Sequence, residues 1–280
     1  MSGLTQLDLC SGVGAGFCLA GLQLGFNLIG TAEIDEYCSS ILKLRYPGVH
    51  NYGNVRDIPR LAKQRLGYYM HSNRIDLLTA SPPCPPFSTE GQRLGGADER
   101  DCFPAVLETI RELQPKFAAI ENVPGLITCP DYPGQPTGSY FRGVVRTLDL
   151  FGYHAEWITI GSGHFASPYI RERVLLVAIA RSVIIDWERA APWTDQARSR
   201  TEEIRAIKLM RGIKPGYPLS VVRNPRDLVR PLGIKSRDGT IRRMRQAAGN
   251  LLDPRVAAIA LNRIVYLNSL CRKPAATYQG

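Results

Sequence analysis

"LTQLDLCSGVGAGFCLAGLQLGF", residues 4–26, decides the fold. Residues 4–10 form a short apolar run of the kind that makes a buried strand. Gly12, Gly14 and Gly16 follow at once, and "FCLAGLQLGF" then has helical spacing. A strand, a glycine turn and a helix in succession open a βα unit. Glycines at such a turn let a ligand come close to the backbone.

The same alternation continues. "NLIGTAEI" (27–34) predicts a second strand and "EYCSSILKLRY" (36–46) a second helix. "DLLTAS" (76–81) predicts a strand, "FPAVLETIREL" (103–113) an amphipathic helix and "FAAIEN" (117–122) another strand. "HAEWITI" (154–160) and "RVLLVAIA" (173–180) predict two late strands paired antiparallel. Such β-α alternation implies an α/β fold with a doubly wound, mostly parallel, Rossmann-like sheet. Ligands in these folds sit at the carboxyl ends of the strands. Later, "TEEIRAIKLMRGI" (201–213) predicts a short helix ending near Gly212, and "PRVAAIALNRIVYLNSL" (254–270) a closing helix with Pro254 at its start.

Charge divides the chain. Residues 1–180 hold 15 Lys and Arg against 17 Asp and Glu, whereas residues 181–248 hold 16 against 7. A basic interval beside a near-neutral domain points to a nucleic-acid surface. The seven cysteines are odd in number and have no CxxC spacing, which argues against a disulfide framework and a zinc site. Reduced thiols in a cytoplasmic setting are expected. No apolar run approaches a membrane span, and residues 1–17 lack the basic-then-apolar order of a signal peptide.

"ASPPCPPFSTEGQRLGG" (80–96) holds Cys84 between two proline pairs at the end of a predicted strand. Proline fixes φ and restricts the residue before it, so the thiol is held still, as suits a nucleophile. Glu33 ends the second strand, where a carboxylate can accept hydrogen bonds from a ribose. Glu121 ends the strand at 117–122. Arg171 and Arg173 share one face at the start of a strand, as side chains two apart do.

Together and in this order, these pieces resemble the cytosine-C5 methyltransferases. "DLCSGVGAGF" is similar to the family's first motif, "SPPCPPFS" to its nucleophile loop, "ENV" (121–123) to its glutamate motif and "RERV" (171–174) to its paired-arginine motif. "RQAAGNLLDPRVAAIAL" (245–261) is similar to its last motif. The resemblance covers about 1–180 and 245–270. It implies methyl transfer from S-adenosylmethionine to C5 of a cytosine flipped out of DNA. Cys84 would attack C6, Glu121 would protonate N3, and Arg173 with Arg171 would fix the base carbonyl. Asp8, Cys10, Gly12, Gly14, Glu33, Ile34, Asn54, Val55, Pro83, Phe103 and Asn250 would surround the cofactor.

The resemblance further implies a catalytic domain over 1–180 and a closing segment over 245–280. Between them, 181–244 is a reduced basic target-recognition region, with only about 181–200 ahead of the short helix. Ser88, Arg93, Arg223, Arg226, Arg230, Arg237, Arg242 and Arg243 are expected to meet double-stranded DNA, with the protein monomeric on it. A prokaryotic or phage-encoded cytoplasmic enzyme, such as one of restriction-modification, follows, with neither metal nor membrane. The chain departs from the pattern at Cys10, where the family commonly has phenylalanine, at Asn54 for aspartate and at Tyr169 for glutamine. A tRNA-methylating branch has the same chemistry, but its Cys-Phe-Thr tripeptide does not occur here. A catalytically silent nucleic-acid-binding homologue is the remaining alternative.

Overall fold

The computed structural model describes residues 3–66, 75–84, 86, 87, 94–165, 171–210, 243, 247 and 251–272. Its strands are β1 (Thr5–Leu9), β2 (Asn27–Ala32), β3 (His50–Asn51), β4 (Leu77–Ala80), β5 (Phe117–Asn122), β6 (Tyr153–Gly161) and β7 (Glu172–Ala180). Its helices are α1 (Phe17–Gln23), α2 (Glu36–Arg45), α3 (Ile58–Leu61), α4 (Phe103–Leu113), α5 (Gly125–Thr128), α6 (Ser139–Leu150), α7 (Trp193–Met210) and α8 (Pro254–Ser269).

The strands form one sheet in the order β3-β2-β1-β4-β5-β7-β6. The first five in that order run parallel, and β7 lies antiparallel between β5 and β6. This is the doubly wound α/β sheet read from the sequence, and the antiparallel late pair is present.

Helices cover both faces, so the strands are apolar on both sides. Leu78, Ala118, Ile120, Leu176 and Ala178 face α4 and α6, whose Val106, Ile110, Val144 and Leu148 complete that core. Leu77, Phe117, Ala119, Leu175 and Val177 face α1, α7 and α8 on the other side. A bidentate ion pair ties α8 to the sheet: Arg263 Nε lies 2.5 Å and Nη2 2.9 Å from the Glu156 carboxylate. α8 opens with Asp253 capping the Arg255 amide and Pro254 in the first turn.

Two elements depart from expectation. α6 was not anticipated, although Tyr140, Val144 and Leu148 recur every fourth residue. α7 begins at Trp193, well ahead of the expected start at 201. Trp193, Ala197 and Thr201 form a buried stripe that carries the helix back into the stretch assigned to target recognition. Ser88, Arg93, Arg223, Arg226, Arg230, Arg237, Arg242, Asn250 and Tyr169 lie outside the described residues. No helix among the described residues is long and apolar enough to cross a membrane.

Candidate active site

The topology gathers the site. β1, β2, β4 and β5 run parallel, so their carboxyl ends share one edge. β7 runs the other way, and its first residues meet the last of β5, with Asn122 opposite Val174. Arg171 and Arg173 therefore reach the same edge as Cys84 and Glu121. A cavity of about 310 Å³ opens there. Asp8, Cys10, Gly12 and Glu33 line one end, and Pro83, Cys84, Glu121, Arg171 and Arg173 the other. Its size falls in the range of small-molecule sites.

At the first end, Gly12 has φ +54°, and a side chain there would meet no atom within 4 Å. The left-handed backbone, not crowding, asks for glycine at this position. Its amide donates to Glu33 Oε2 at 2.7 Å, and the Asp35 amide donates to Oε1 at 2.8 Å. Burial raises the Glu33 pKa above its ordinary 4.5 despite these bonds. Asp8, fully enclosed, is pushed up to about 6 by burial, against hydrogen bonds from Thr79 and Cys18. Thr79 Oγ1 lies 2.5 Å from Asp8 Oδ1, and Cys18 Sγ 3.0 Å from Oδ2.

At the other end, the cysteine loop is anchored on both sides of the thiol. Asn122 Nδ2 donates to the Pro82 carbonyl at 3.1 Å. The Phe87 amide donates to the Cys84 carbonyl at 2.9 Å, closing a turn. The Phe87 ring is fully buried against Phe103 and Tyr140, with centroids 5.5 and 4.6 Å away. Arg173 Nε lies 2.7 Å from Glu121 Oε1. Burial raises the Glu121 pKa above 4.5, and Arg173, Ser81 and Arg171 pull it back only in part. Burial likewise lifts the Cys84 thiol above its usual 9.0, opposed chiefly by Arg173. Arg171 is shifted down, first by burial and then by Arg173.

Not every expected ligand residue lines the cavity. Gly14 is held by packing: a side chain there would come within 2.4 Å of Tyr46. The Asn54 Oδ1 accepts from the Arg56 amide at 3.0 Å, as the cap of a short turn. Val55 and Phe103 are core residues, and Ile34 stands 70% exposed beyond the wall. Asn122, which the sequence places with Glu121 at the ligand-binding strand edge, lines the cavity, as do Ser81, Asp35, Cys38, Leu251 and Leu252, which it does not single out. Leu251 and Leu252 carry no local signal. Arg243, expected on a DNA surface, also lines the wall. Among the described residues no group of three or more His, Cys, Asp or Glu side chains could hold a metal ion.

The type II methyltransferase M.NgoMIV of Neisseria gonorrhoeae is 30% identical over 195 residues, 70% of this chain and 58% of that protein. The orphan methyltransferase M.SPRI of Bacillus phage SPR is 31% identical over 189 residues, 66% of this chain and 39% of that protein. This chain therefore spans about half the length of these relatives. Among solved structures, S. pombe Dnmt2 methyltransferase superposes with a TM-score of 0.59 at 16% identity, covering 94% of this chain and 98% of that one. Entamoeba histolytica methyltransferase EhMeth superposes with a TM-score of 0.60 at 13% identity, covering 95% and 99%. At such identities these likenesses show the fold. The family model described as C-5 cytosine-specific DNA methylase matches residues 4–234, most of the chain. Cys84, Glu121, Arg171 and Arg173 share one cavity, and the chain belongs to the C-5 cytosine-specific DNA methylase family.

Proposed function

We propose that this chain transfers a methyl group from S-adenosylmethionine to C5 of cytosine in DNA, through a covalent bond between Cys84 Sγ and C6 of a base flipped out of the duplex. The observation that carries the reading is one cavity walled by Cys84, Glu121, Arg171 and Arg173 at one end and by the Gly12–Glu33 cradle at the other.

The cradle fits the cofactor. The free space over Gly12 admits a ligand against the backbone. Each Glu33 oxygen accepts one amide and keeps capacity for a ribose hydroxyl. Two carboxyl groups, Asp8 and Glu33, line this end, and a cationic ligand would favour their charged forms against the burial that raises their pKa values. S-adenosylmethionine supplies an electrophilic methyl group when bound.

Cytosine C5 is a poor nucleophile until C6 carries an electron-rich substituent. Cys84 supplies it. It reacts as the thiolate, so the Sγ–C6 bond forms from the sulfur lone pair with no thiol proton to place, and the anchored loop holds sulfur against the ring face. The negative charge that develops runs to N3 and O2. Glu121 retains its proton to a higher pH than a free glutamate, and delivers it at N3. Arg173 orients that carboxyl, and Arg171 with it presents positive charge to the base carbonyl. C5 would then bond to the methyl carbon as that carbon's bond to the sulfonium sulfur breaks, a base would remove the C5 proton, the Sγ–C6 bond would break, and the N3 proton would return to Glu121. A base in a duplex is out of reach of such a loop, so it must leave the stack.

We further propose that residues 181–244 are a reduced recognition region between a catalytic domain (1–180) and a closing segment (245–280). Their basic interval would face phosphates, with the chain monomeric on DNA. Affinity for duplex DNA would then fall with salt at a slope of roughly −0.9 per neutralised phosphate. The deciding experiment incubates the protein with S-adenosylmethionine and DNA containing 5-fluorocytosine, which cannot lose a proton at C5. A covalent complex mapping to Cys84 supports the reading. An adduct on another cysteine, or none from a preparation that methylates ordinary DNA, overturns it. Labelled-methyl transfer to tRNA rather than DNA would move the activity to the other branch.

A further inference from the structure

Helix α2 holds the cradle at both of its ends. At its start, the Asp35 amide donates to Glu33 Oε1 at 2.8 Å, and the Ser39 hydroxyl donates to the Glu33 carbonyl at 3.1 Å. At its end, two side chains reach the glycine turn. Arg45 Nη1 donates to the Val13 carbonyl at 2.8 Å. The Tyr46 hydroxyl donates to the Gly14 carbonyl. The turn is closed by the Gly14 amide, which donates to the Ser11 carbonyl at 2.9 Å. Val13 and Ala15 line the cavity, whereas a side chain at Gly14 would point at Tyr46 and Leu42. Two successive carbonyls of the turn are thus taken up on its α2 side.

We propose that Arg45 and Tyr46 are positioning residues for cofactor binding, which act on the ligand through the peptide planes of the turn. Gly12, Gly14 and Gly16 leave this backbone more freedom than other residue types would. The restraint must therefore come from outside the turn. A trans peptide carries its N–H opposite its C=O. With the Gly14 carbonyl held by Tyr46, the Ala15 amide points away from α2. With the Val13 carbonyl held by Arg45, that oxygen cannot swing into the cavity and put an acceptor where the wall otherwise offers none. Tyr46 is only 8% exposed and packs with Cys18, Leu28 and Leu42, so its hydroxyl is presented by a fixed ring. The Arg45 bond is charge-assisted, which strengthens it.

The inference rests on the reading of this cavity as a cofactor site. A turn ordered before the ligand arrives saves the ligand the cost of ordering it. Tyr46→Phe keeps the ring and removes only the hydroxyl. Arg45→Met keeps the apolar stem and removes the donors. Each should weaken S-adenosylmethionine binding about three- to tenfold, the worth of one hydrogen bond. KM for the cofactor should rise in step. The turnover number at saturating cofactor should stay within about twofold, because neither residue reaches the thiol end.

The test compares the full chain with each variant. Calorimetry reads S-adenosylmethionine affinity, and labelled-methyl transfer to duplex DNA reads KM and kcat. Amide hydrogen exchange of the ligand-free protein reads the turn at residues 11–16. Urea unfolding sets conditions in which every protein is folded. Weaker binding at unchanged kcat, with faster exchange in the turn and not in β4, is the expected result. A variant that is less stable yet binds the cofactor with unchanged affinity has lost packing alone, and overturns the proposal. So does a fall in kcat at saturating cofactor with affinity unchanged. Should Tyr46→Phe fail to fold, Arg45→Met decides by the same readings. An unsubstituted chain that binds no S-adenosylmethionine overturns the cofactor reading instead. Exchange in the turn then decides whether Arg45 and Tyr46 hold it, and exchange unchanged in both variants overturns that as well.

Discussion

The two ends of the cavity are built by opposite means. At the cradle end, the acids Asp8 and Glu33 are held by burial and by amide, hydroxyl and thiol donors. At the thiol end, Glu121 sits against a guanidinium, with a second arginine beside it. One wall accumulates negative character and the other positive. A cavity polarised this way can take a cation at one end and an electron-rich ring at the other. Position is also secured differently. Left-handed glycine geometry sets the cradle, whereas a buried aromatic ring and side-chain hydrogen bonds set the thiol loop.

The sharpest way to separate the two ends is Cys84→Ser. Methyl transfer should fall at least about 10³-fold, while S-adenosylmethionine affinity stays within about twofold. Labelled-methyl transfer and calorimetry measure the two. Matching losses in both would mean that the ends are not independent.

Glu121→Gln comes next, with transfer expected to drop about 10²- to 10⁴-fold, because the amide cannot give a proton to N3. The pH profile of kcat/KM for DNA adds a second reading. The reactive form holds one proton between the two groups, with Cys84 as thiolate and Glu121 as acid. Below the Glu121 pKa both are protonated and no thiolate remains. Above the Cys84 pKa both are ionised and no proton is left for N3. The rate should therefore rise through an acid limb above 4.5, stay level, and fall through an alkaline limb above 9.0. An acid limb at an ordinary carboxylate value would show that burial does not act on Glu121 during turnover.

Glu33→Gln tests the cradle. Loss of a charged acceptor for ribose should weaken S-adenosylmethionine binding about 10- to 100-fold. At saturating cofactor the turnover number should stay within a few fold. A fall in turnover without a change in affinity would assign Glu33 to the wrong end.

The smallest effect is expected from Phe87→Leu. Replacing the ring that anchors the thiol loop should cost about 1–2 kcal/mol of stability by urea unfolding. Transfer should fall several-fold and cofactor affinity should not. Equal changes in both would mean that the loop anchor also supports the cradle.

Much of this arrangement was legible in the chain itself. Alternating apolar runs and helical spacings marked β1, β2, β4, β5, β7 and α8 within a few residues, because period and punctuation are local properties. Cys84, Glu33 and Glu121 could be placed at strand ends for the same reason. The residue types also stated the chemistry: a proline-held thiol, a strand-end acid and paired arginines. α6 carried an equally clear spacing in Tyr140, Val144 and Leu148 and went unread. The early start of α7 depends on burial of Trp193 and Ala197 against α8, which no local pattern announces.

Tertiary structure decided the rest. Only the insertion of β7 between β5 and β6, antiparallel to β5, sets Arg173 Nε 2.7 Å from Glu121. Only packing shows that Gly14 serves Tyr46 and that the Asn54 side chain caps a turn. Periodicity reports which face a residue occupies along its own element. Strand order, and with it the partners a side chain finds across the sheet edge, follows from pairings between distant segments, and these are chosen by burial of both faces at once.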